Sequence, residues 1–251
     1  LSLIECVPNF SEGRDKKTID AIACAIQSVQ GVQLLHTDIG YDANRTVFTF
    51  IGEPHNVMEA AYRSIKTASQ LIDMRNHTGA HPRIGACDVC PIIPIHAIDI
   101  EACNSYVYEL SHRLAELNIP VFLYEKSTNN TYRKHLEDIR KGEYEGLEIK
   151  MNDTQWKADN DIKFNPKFGA MVLGVRNFLI AYNINLNTND VTIAKKIAKK
   201  IRTSNNESIT FPKYEKLPYL KSIGWYMEQY HCAQVSTNIT DYHNNRTIRG
   251  I

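Results

Sequence analysis

The run HTGAHPRIG, residues 77–85, places two histidines, an arginine, a proline and two glycines in nine positions, and the apolar run ACDVCPIIP follows it directly. A histidine at the mouth of a buried strand can accept a proton and return it near neutral pH, because its ordinary pKa is about 6.5. Pro82 steers the backbone of His81 away from the helical region, as a loop feeding a strand requires. Gly79 permits a tight turn, and Gly85 leaves room for a substrate to approach the strand. From the tripeptide His81-Pro82-Arg83 alone, a loop histidine without a role is the commoner reading. His77 and His36 read as structural or surface residues.

Other patterns offer less. Cys87 and Cys90 stand three apart in a strand, where such positions point to opposite faces. A single pair is in any case a weak zinc signal, so both read as buried packing. Lys195, Lys196, Lys199, Lys200 and Arg202 lie opposite the apolar stripe of Ile193, Ala194, Ile197, Ala198 and Ile201. That is a solvated helix face first, a surface attracting a polyanionic small-molecule tail second, and a nucleic-acid surface after that. The sequence carries no Gly-rich phosphate loop, no H-E-x-x-H and no G-x-S-x-G. It also lacks an aromatic-rich ribonucleoprotein signature. No metal is called for.

The chain has 251 residues, 43% hydrophobic and 23% charged, with a net charge of +1. This suits a soluble globular protein of one large or two small domains, with no global field favouring nucleic acid or a membrane surface. The opening LSLIECVPNF lacks the positive region and long apolar core of a signal peptide and reads as a first strand. Six scattered cysteines do not make a disulfide framework. The sequons at Asn9, Asn44 and Asn76 sit inside the segments that look most functional, where a glycan would interfere. A reducing, cytosolic compartment is expected.

The elements that must position His81 follow from periodicity. Strands are expected at 1–8, 32–38, 45–52 and 83–93, with helices at 15–29 and from Pro54 to Ile72. The order β-α-β-β-α-β is the split βαβ, ferredoxin-like plan, an α+β fold with an antiparallel sheet. A helix over 97–117, a short strand over 120–124 and a helical stretch over 131–141 follow, then a long aperiodic segment over 151–170. A second unit, 177–251, offers a strand at 177–186, a helix at 190–202 and strands at 222–229 and 232–240. It repeats β-α-β-β without the closing α-β and so reads as incomplete, and its tail HNNRTIRGI shows no element.

Six ordered blocks carry a family resemblance: ECVPNFSEGRD (5–15), NRTVFTFIG (44–52), LIDMRNHTGAHPRIGACDVCPIIP (71–94), GEYEGL (142–147), GAMVLGVRNFLIAYNINL (169–186) and IGWYMEQYHCAQVSTN (223–238). The chain resembles the formiminotransferase domain of the folate enzymes of histidine breakdown. The resemblance implies two ferredoxin-like subdomains, 1–176 and 177–251, with the ligand in the cleft between them. It implies transfer of a formimino group between N-formimino-L-glutamate and tetrahydrofolate, as co-substrate, giving 5-formiminotetrahydrofolate and L-glutamate. It makes His81 the catalytic base and implies a cytoplasmic homodimer. Its folate loop falls on 160–169, with Asn160, Asp161, Lys163, Phe164, Asn165, Pro166, Phe168 and Gly169. The family's Pro-Asp-Phe-Gly-Pro-like run before that loop is replaced here by Ala158-Asp159-Asn160-Asp161. No deaminase module is read in these 251 residues.

The chemistry fits such residues. An amine must lose a proton as it attacks the formimino carbon, and the departing nitrogen must gain one, which one histidine can manage. Arginine's planar fork suits the carboxylates of glutamate and folate, and Arg45 and Arg83 are the candidates, with simple ion pairing as the alternative. Asp38 and Asp88 can pair the cationic amidinium or cap turns. Asn9, Ser11 and Glu12 lie just past the first strand, where Ser11 can cap a turn instead of meeting substrate. Phe164 and Phe168, with Trp156 nearby, can stack on a pteridine or pack in a core. Two rivals remain: a non-catalytic folate-binding or regulatory module, and an interaction protein using the lysine-rich helix.

Overall fold

The computed structural model describes residues 1–202 and 219–241; the tail 243–251 lies outside them. The chain divides into two compact units, Leu1–Arg176 and Asn177–Ile251. Among the described residues no helix is long and apolar enough to cross a membrane.

The first unit opens with β1 (Leu3–Cys6) and β2 (Asn9–Phe10), one strand interrupted at Pro8, which has no N–H for a ladder. Helix α1 (Lys16–Gln27) starts at Asp15, whose carboxylate accepts from the N–H of Lys17 at 3.1 Å and from the Thr18 hydroxyl at 2.7 Å. Strands β3 (Val32–Gly40) and β4 (Arg45–Gly52) form a hairpin, and α2 (Pro54–Leu71) takes Pro54 in its first turn. Strand β5 (Cys87–His96) lies beside β1 and β2, which are flanked on their other edge by β4. The strand order across this part is thus β3, β4, β1 with β2, β5, all antiparallel.

Beyond β5 the sheet is mixed, which corrects the expectation of a purely antiparallel one. Strand β6 (Val121–Leu123) and strand β7 (Met171–Val175) add to it in parallel, β7 against β5 and β6 outermost. All five residues of β7 are buried. A strand covered on both faces shows no alternation, so the sequence MVLGV carries no period of two and no strand is expected there from it.

Two layers cover this sheet. Helices α1, α2 and α3 (Ile100–Ala115) bury Ile19, Ile22, Ile26, Val57, Ile65, Val107 and Leu114 against Ile4, Phe10, Phe48 and Phe50. Each such side chain contributes about 1.5–3 kcal/mol by leaving water. On the opposite face, the short helices α4 (Leu136–Arg140) and α5 (Glu143–Met151) bring Ile139 and Leu147 onto Ile84, Val89, Phe122 and Val172. The expected helix over 131–141 is thus a 3-10 turn, Thr131–Arg133, followed by α4.

One irregularity bears on the site. Asn9 pairs with Val89 while Phe10 pairs with Cys87, so β5 has one residue more than β2 across this step, and Asp88 is the extra one. Such a bulge breaks alternation and re-aims side chains. Cys87 and Cys90 therefore belong to the same buried cluster, contrary to the opposite-face argument, although both are fully buried free thiols as expected.

The second unit contains β8 (Ile180–Asn185), α6 (Val191–Ile201), β9 (Leu220–Met227) and β10 (Cys232–Ile239). Its three strands are antiparallel in the order β8, β10, β9. Ala194 and Ala198 of α6 pack on Ala233 and Val235, which leaves the lysine face of the helix outward.

Candidate active site

Strand β4 alternates buried and half-buried residues, with Thr46, Phe48 and Phe50 facing the main core. Arg45 therefore projects to the opposite face, where α4 also lies. Asp38 pairs with Val47 across the hairpin and so shares the face of Arg45. The loop carrying His81 crosses the end of β4, and Arg45 Nη1 lies 2.5 Å from His81 Nε2.

That contact assigns the histidine's tautomer. A guanidinium has no acceptor, so Nε2 must hold a lone pair and accept from Arg45. The proton then sits on Nδ1, which donates to the carbonyl of Pro82 at 2.7 Å. Burial, then the charges of Arg45 and Arg140, push the His81 pKa down to about 2, and the Pro82 carbonyl opposes this. His81 is a neutral imidazole with its basic nitrogen aimed at a cation. Arg45 is also perturbed, down to about 10, by burial and by Arg140, with Asp88 and Asp38 acting the other way.

Asp88, 0% exposed, accepts from the N–H of Ile84 at 2.9 Å through one oxygen and pairs with Arg140 Nη2 through the other. Arg140 is the last residue of α4 and is 15% exposed. Sequence reasoning missed it, because its partner lies 52 residues away and nothing local marks it.

Arg83 is placed differently from Arg45. It is 6% exposed, and every nitrogen of its guanidinium is engaged. Nη1 and Nη2 grip both oxygens of Glu145 at 2.8 and 2.6 Å, and Nη1 reaches Glu143 at 3.0 Å. Nε donates to His77 Nδ1 at 3.2 Å, and Nη2 to the His77 carbonyl at 3.3 Å. His77 thus carries its proton on Nε2 and donates to the carbonyl of Asn44 at 2.9 Å, the opposite tautomer to His81. Burial, with the nearby Arg83 charge, lowers the His77 pKa against the pull of the Asn44 carbonyl. Asn44 itself adopts a left-handed backbone, which asparagine tolerates, and ties the Gly13 N–H to the Thr78 carbonyl through its side chain. An open hollow of about 490 Å³ adjoins this network, lined by Thr78, Gly79, Arg83, Gly142, Glu143 and Glu145.

The room beside Gly85 is filled by protein and does not admit a substrate. A Cβ there would stand 2.1 Å from the Ala170 carbonyl, and one on Gly169, at φ +77°, would stand 2.1 Å from that of Ile84. Backbone hydrogen bonds from Ala86 to Phe168 and from Ala170 to Ile84 join the two segments. Ser11 donates to the Gly85 carbonyl at 2.7 Å, which gives it a structural partner. Asn9 donates to the Val7 carbonyl, and Glu12 accepts from the N–H groups of Arg14 and Asp15.

Most side chains of the 160–169 loop hold the loop itself. Asn160 accepts from the Val121 N–H and donates to the Ile119 carbonyl, which anchors the segment to β6. Asn165 donates to the Asn118 carbonyl and accepts from the N–H groups of Lys167 and Phe168. Phe168, 1% exposed, belongs to the main core. The Pro166 carbonyl accepts from the Tyr144 hydroxyl at 2.6 Å, and the Phe164 ring lies 6.0 Å from that of Tyr144. Asp161 and Lys163 are exposed. Trp156 lies under the Lys150 ammonium at 3.8 Å, in a cation–π contact.

Comparison with known proteins bears on this arrangement. Residues 3–176 match the model of the formiminotransferase domain, N-terminal subdomain, and residues 181–248 match that of the formiminotransferase domain. A formimidoyltransferase-cyclodeaminase of Dictyostelium discoideum is 46% identical over 246 residues, 96% of this chain and 44% of that protein. Glutamate formimidoyltransferases of Streptococcus pyogenes serotype M1 and Thermoplasma acidophilum are 40% and 38% identical. These alignments cover 96% and 99% of this chain and 78% and 80% of those proteins. The chain thus spans less than half the length of the cyclodeaminase-bearing relative and about four-fifths of the other two. With both of its units matched and identities near 40% along almost its whole length, this chain belongs to the formiminotransferase domain family.

Proposed function

We propose that this chain performs glutamate formimidoyltransferase chemistry, moving a formimino group between N-formimino-L-glutamate and tetrahydrofolate. The observation that carries the reading is the neutral His81, tautomer-locked by Pro82 and paired through Nε2 with Arg45. The names of the family relatives support it. In this reading an arriving substrate carboxylate draws the fork of Arg45 away from Nε2. The local positive field then falls, and the His81 pKa climbs towards the range useful to a general base. The N5 amine of tetrahydrofolate attacks the formimino carbon, and Nε2 takes the proton it sheds. His81 returns that proton to the glutamate nitrogen as the old C–N bond breaks, which leaves 5-formiminotetrahydrofolate and L-glutamate.

The other candidates take graded roles. Asp38 faces the amidinium from the side of Arg45. Arg83 cannot turn to a substrate without releasing Glu145, so it positions the histidine loop instead. Within the 160–169 loop, Asp161, Lys163, Pro166 and the half-exposed Phe164 are open to a pterin, while Phe168 supports them from the core. Two ferredoxin-like subdomains, 1–176 and 177–251, belong to the same proposal. The order β3, β4, β1 with β2, β5 and the order β8, β10, β9 support it. A cytoplasmic homodimer follows from the family resemblance and is part of this reading.

Transfer from N-formimino-L-glutamate to tetrahydrofolate, for wild type beside His81→Ala, tests the reaction. The expected result is turnover by the wild type and a loss of about a hundredfold or more in the variant, with tetrahydrofolate binding retained. A wild type that binds tetrahydrofolate without turnover would leave a folate-binding module.

A further inference from the structure

Arg140 has a position that the transferase reading leaves unused. Among the described residues, the charges of Arg45 of β4 and Arg140 of α4 act on His81, and Arg45 in turn feels Arg140, the buried Asp88 of β5 and the exposed Asp38 of β3. Among the described residues, these two guanidinium groups face a single buried carboxylate, Asp88.

Both guanidinium groups are also short of partners. Each has five N–H bonds. Among the described residues Arg45 makes one hydrogen bond, to His81, and Arg140 makes one, to Asp88. The Nε of Arg140 is buried with no partner at all. Arg83, a few residues from His81, makes five contacts with its three nitrogens. Unmet buried donors are rare in folded proteins and call for an explanation. A bulge in β5 places Asp88 where it can hold Arg140, and Asp88 is itself anchored by the Ile84 N–H. This is a cation fixed in place with most of its hydrogen-bonding capacity unfilled.

We propose that Arg140, held on Asp88, forms with Arg45 a receptor for the two carboxylates of a glutamyl substrate, so that a dicarboxylate is selected over a monocarboxylate at His81. The proposal rests on the transferase reading for the identity of the substrate. The receptor also couples binding to activation: burial does most to hold the His81 pKa down, and the dianion that fills the receptor offsets the further part due to Arg45 and Arg140.

The test compares L-glutamate with 4-aminobutyrate, which has one carboxylate, as ligands of the wild type and of Arg140→Gln. Binding is followed by calorimetry and by the ¹⁵N shifts of the His81 imidazole. In the wild type, L-glutamate should bind at least about tenfold more tightly than 4-aminobutyrate and raise the His81 pKa, while 4-aminobutyrate should raise it less. Arg140→Gln should weaken L-glutamate by about ten- to a hundredfold, the range for hydrogen bonds to charged groups, and leave 4-aminobutyrate nearly unchanged. Arg140→Lys should restore part of the loss. Removing Arg140 leaves Asp88 buried and unpaired, which can unfold the chain. The double variant Asp88→Asn with Arg140→Gln removes both charges and should show the same loss of preference. If the folded variants bind L-glutamate as the wild type does, or if the wild type itself does not distinguish the two ligands, the receptor is refuted. The two readings fail separately. Dicarboxylate selection without formimino transfer removes the transferase and keeps the receptor, and transfer with an indifferent Arg140 does the reverse.

Discussion

Acid should destabilise this chain through His81, and the size of the effect can be worked out. The imidazole titrates near 6.5 in an unfolded chain and is held down to about 2 in the fold, by burial and by Arg45 and Arg140. Well above pH 6.5 both states are unprotonated and the histidine contributes no pH dependence. Below about 6.5 the unfolded chain takes up a proton that the folded chain refuses. Stability is therefore complete above the unfolded pKa and falls as pH drops towards the folded one, by about 1.4 kcal/mol per pH unit at full slope. Between pH 7 and pH 5 the loss from this one residue is about 2 kcal/mol. His77 is shifted in the same direction and adds to the slope in the wild type, so a difference measurement is needed. His81→Gln keeps an acceptor near the position of Nε2 and removes the titration. Urea unfolding of both proteins at pH 7, 6 and 5 should show the variant gaining about 2 kcal/mol on the wild type as pH falls. Parallel curves, with a constant difference across that range, would refute the claim that a half-buried neutral imidazole is held against the Arg45 guanidinium.

Other outcomes follow from the same geometry. Arg83→Met should lower kcat by roughly tenfold or more by loosening the histidine loop, with KM for the glutamyl substrate nearly unchanged; a rise in KM alone would make Arg83 a substrate ligand. Glu145→Gln should cost less than about 1 kcal/mol in urea unfolding, because Glu145 is 65% exposed and Glu143 remains to pair with Arg83. Gly169→Ala should cost about 2 kcal/mol or more, since it adds a Cβ 2.1 Å from the Ile84 carbonyl on a left-handed backbone; an unchanged denaturation midpoint would count against that close approach.

Much of the first ninety-six residues was legible, because each element there has one covered face. Helices α1 and α2 show an apolar stripe, and β4 alternates strictly. The legibility ends where covering is two-sided or irregular. Strand β7 is buried throughout and shows no period. The expected strand over 83–93 begins only at Cys87, because the backbone of 84–86 bonds to the 168–170 segment instead. Helix α5 lacks an apolar stripe and buries only Leu147. The site divides in the same way. His81 and Arg45 stand out by residue type beside strong local motifs. The pairing of Asp88 with Arg140, and the grip of Glu145 on Arg83, join residues more than fifty positions apart. Such pairs exist only once the sheet has formed.

The extra residue in β5 sets a limit on the length of the chain. Regular pairing resumes at Val89, so Cys87, at the start of the strand, is offset by one position from the residues that follow Asp88. Deleting Asp88 would restore an ordinary ladder there while turning the Cys87 side chain to the opposite face. A substitution there alters one contact, but a one-residue deletion would remove the bulge that places Asp88 beside Arg140 and would turn Cys87 away from the main core. Length changes in this stretch should therefore be far less tolerated than changes of residue type.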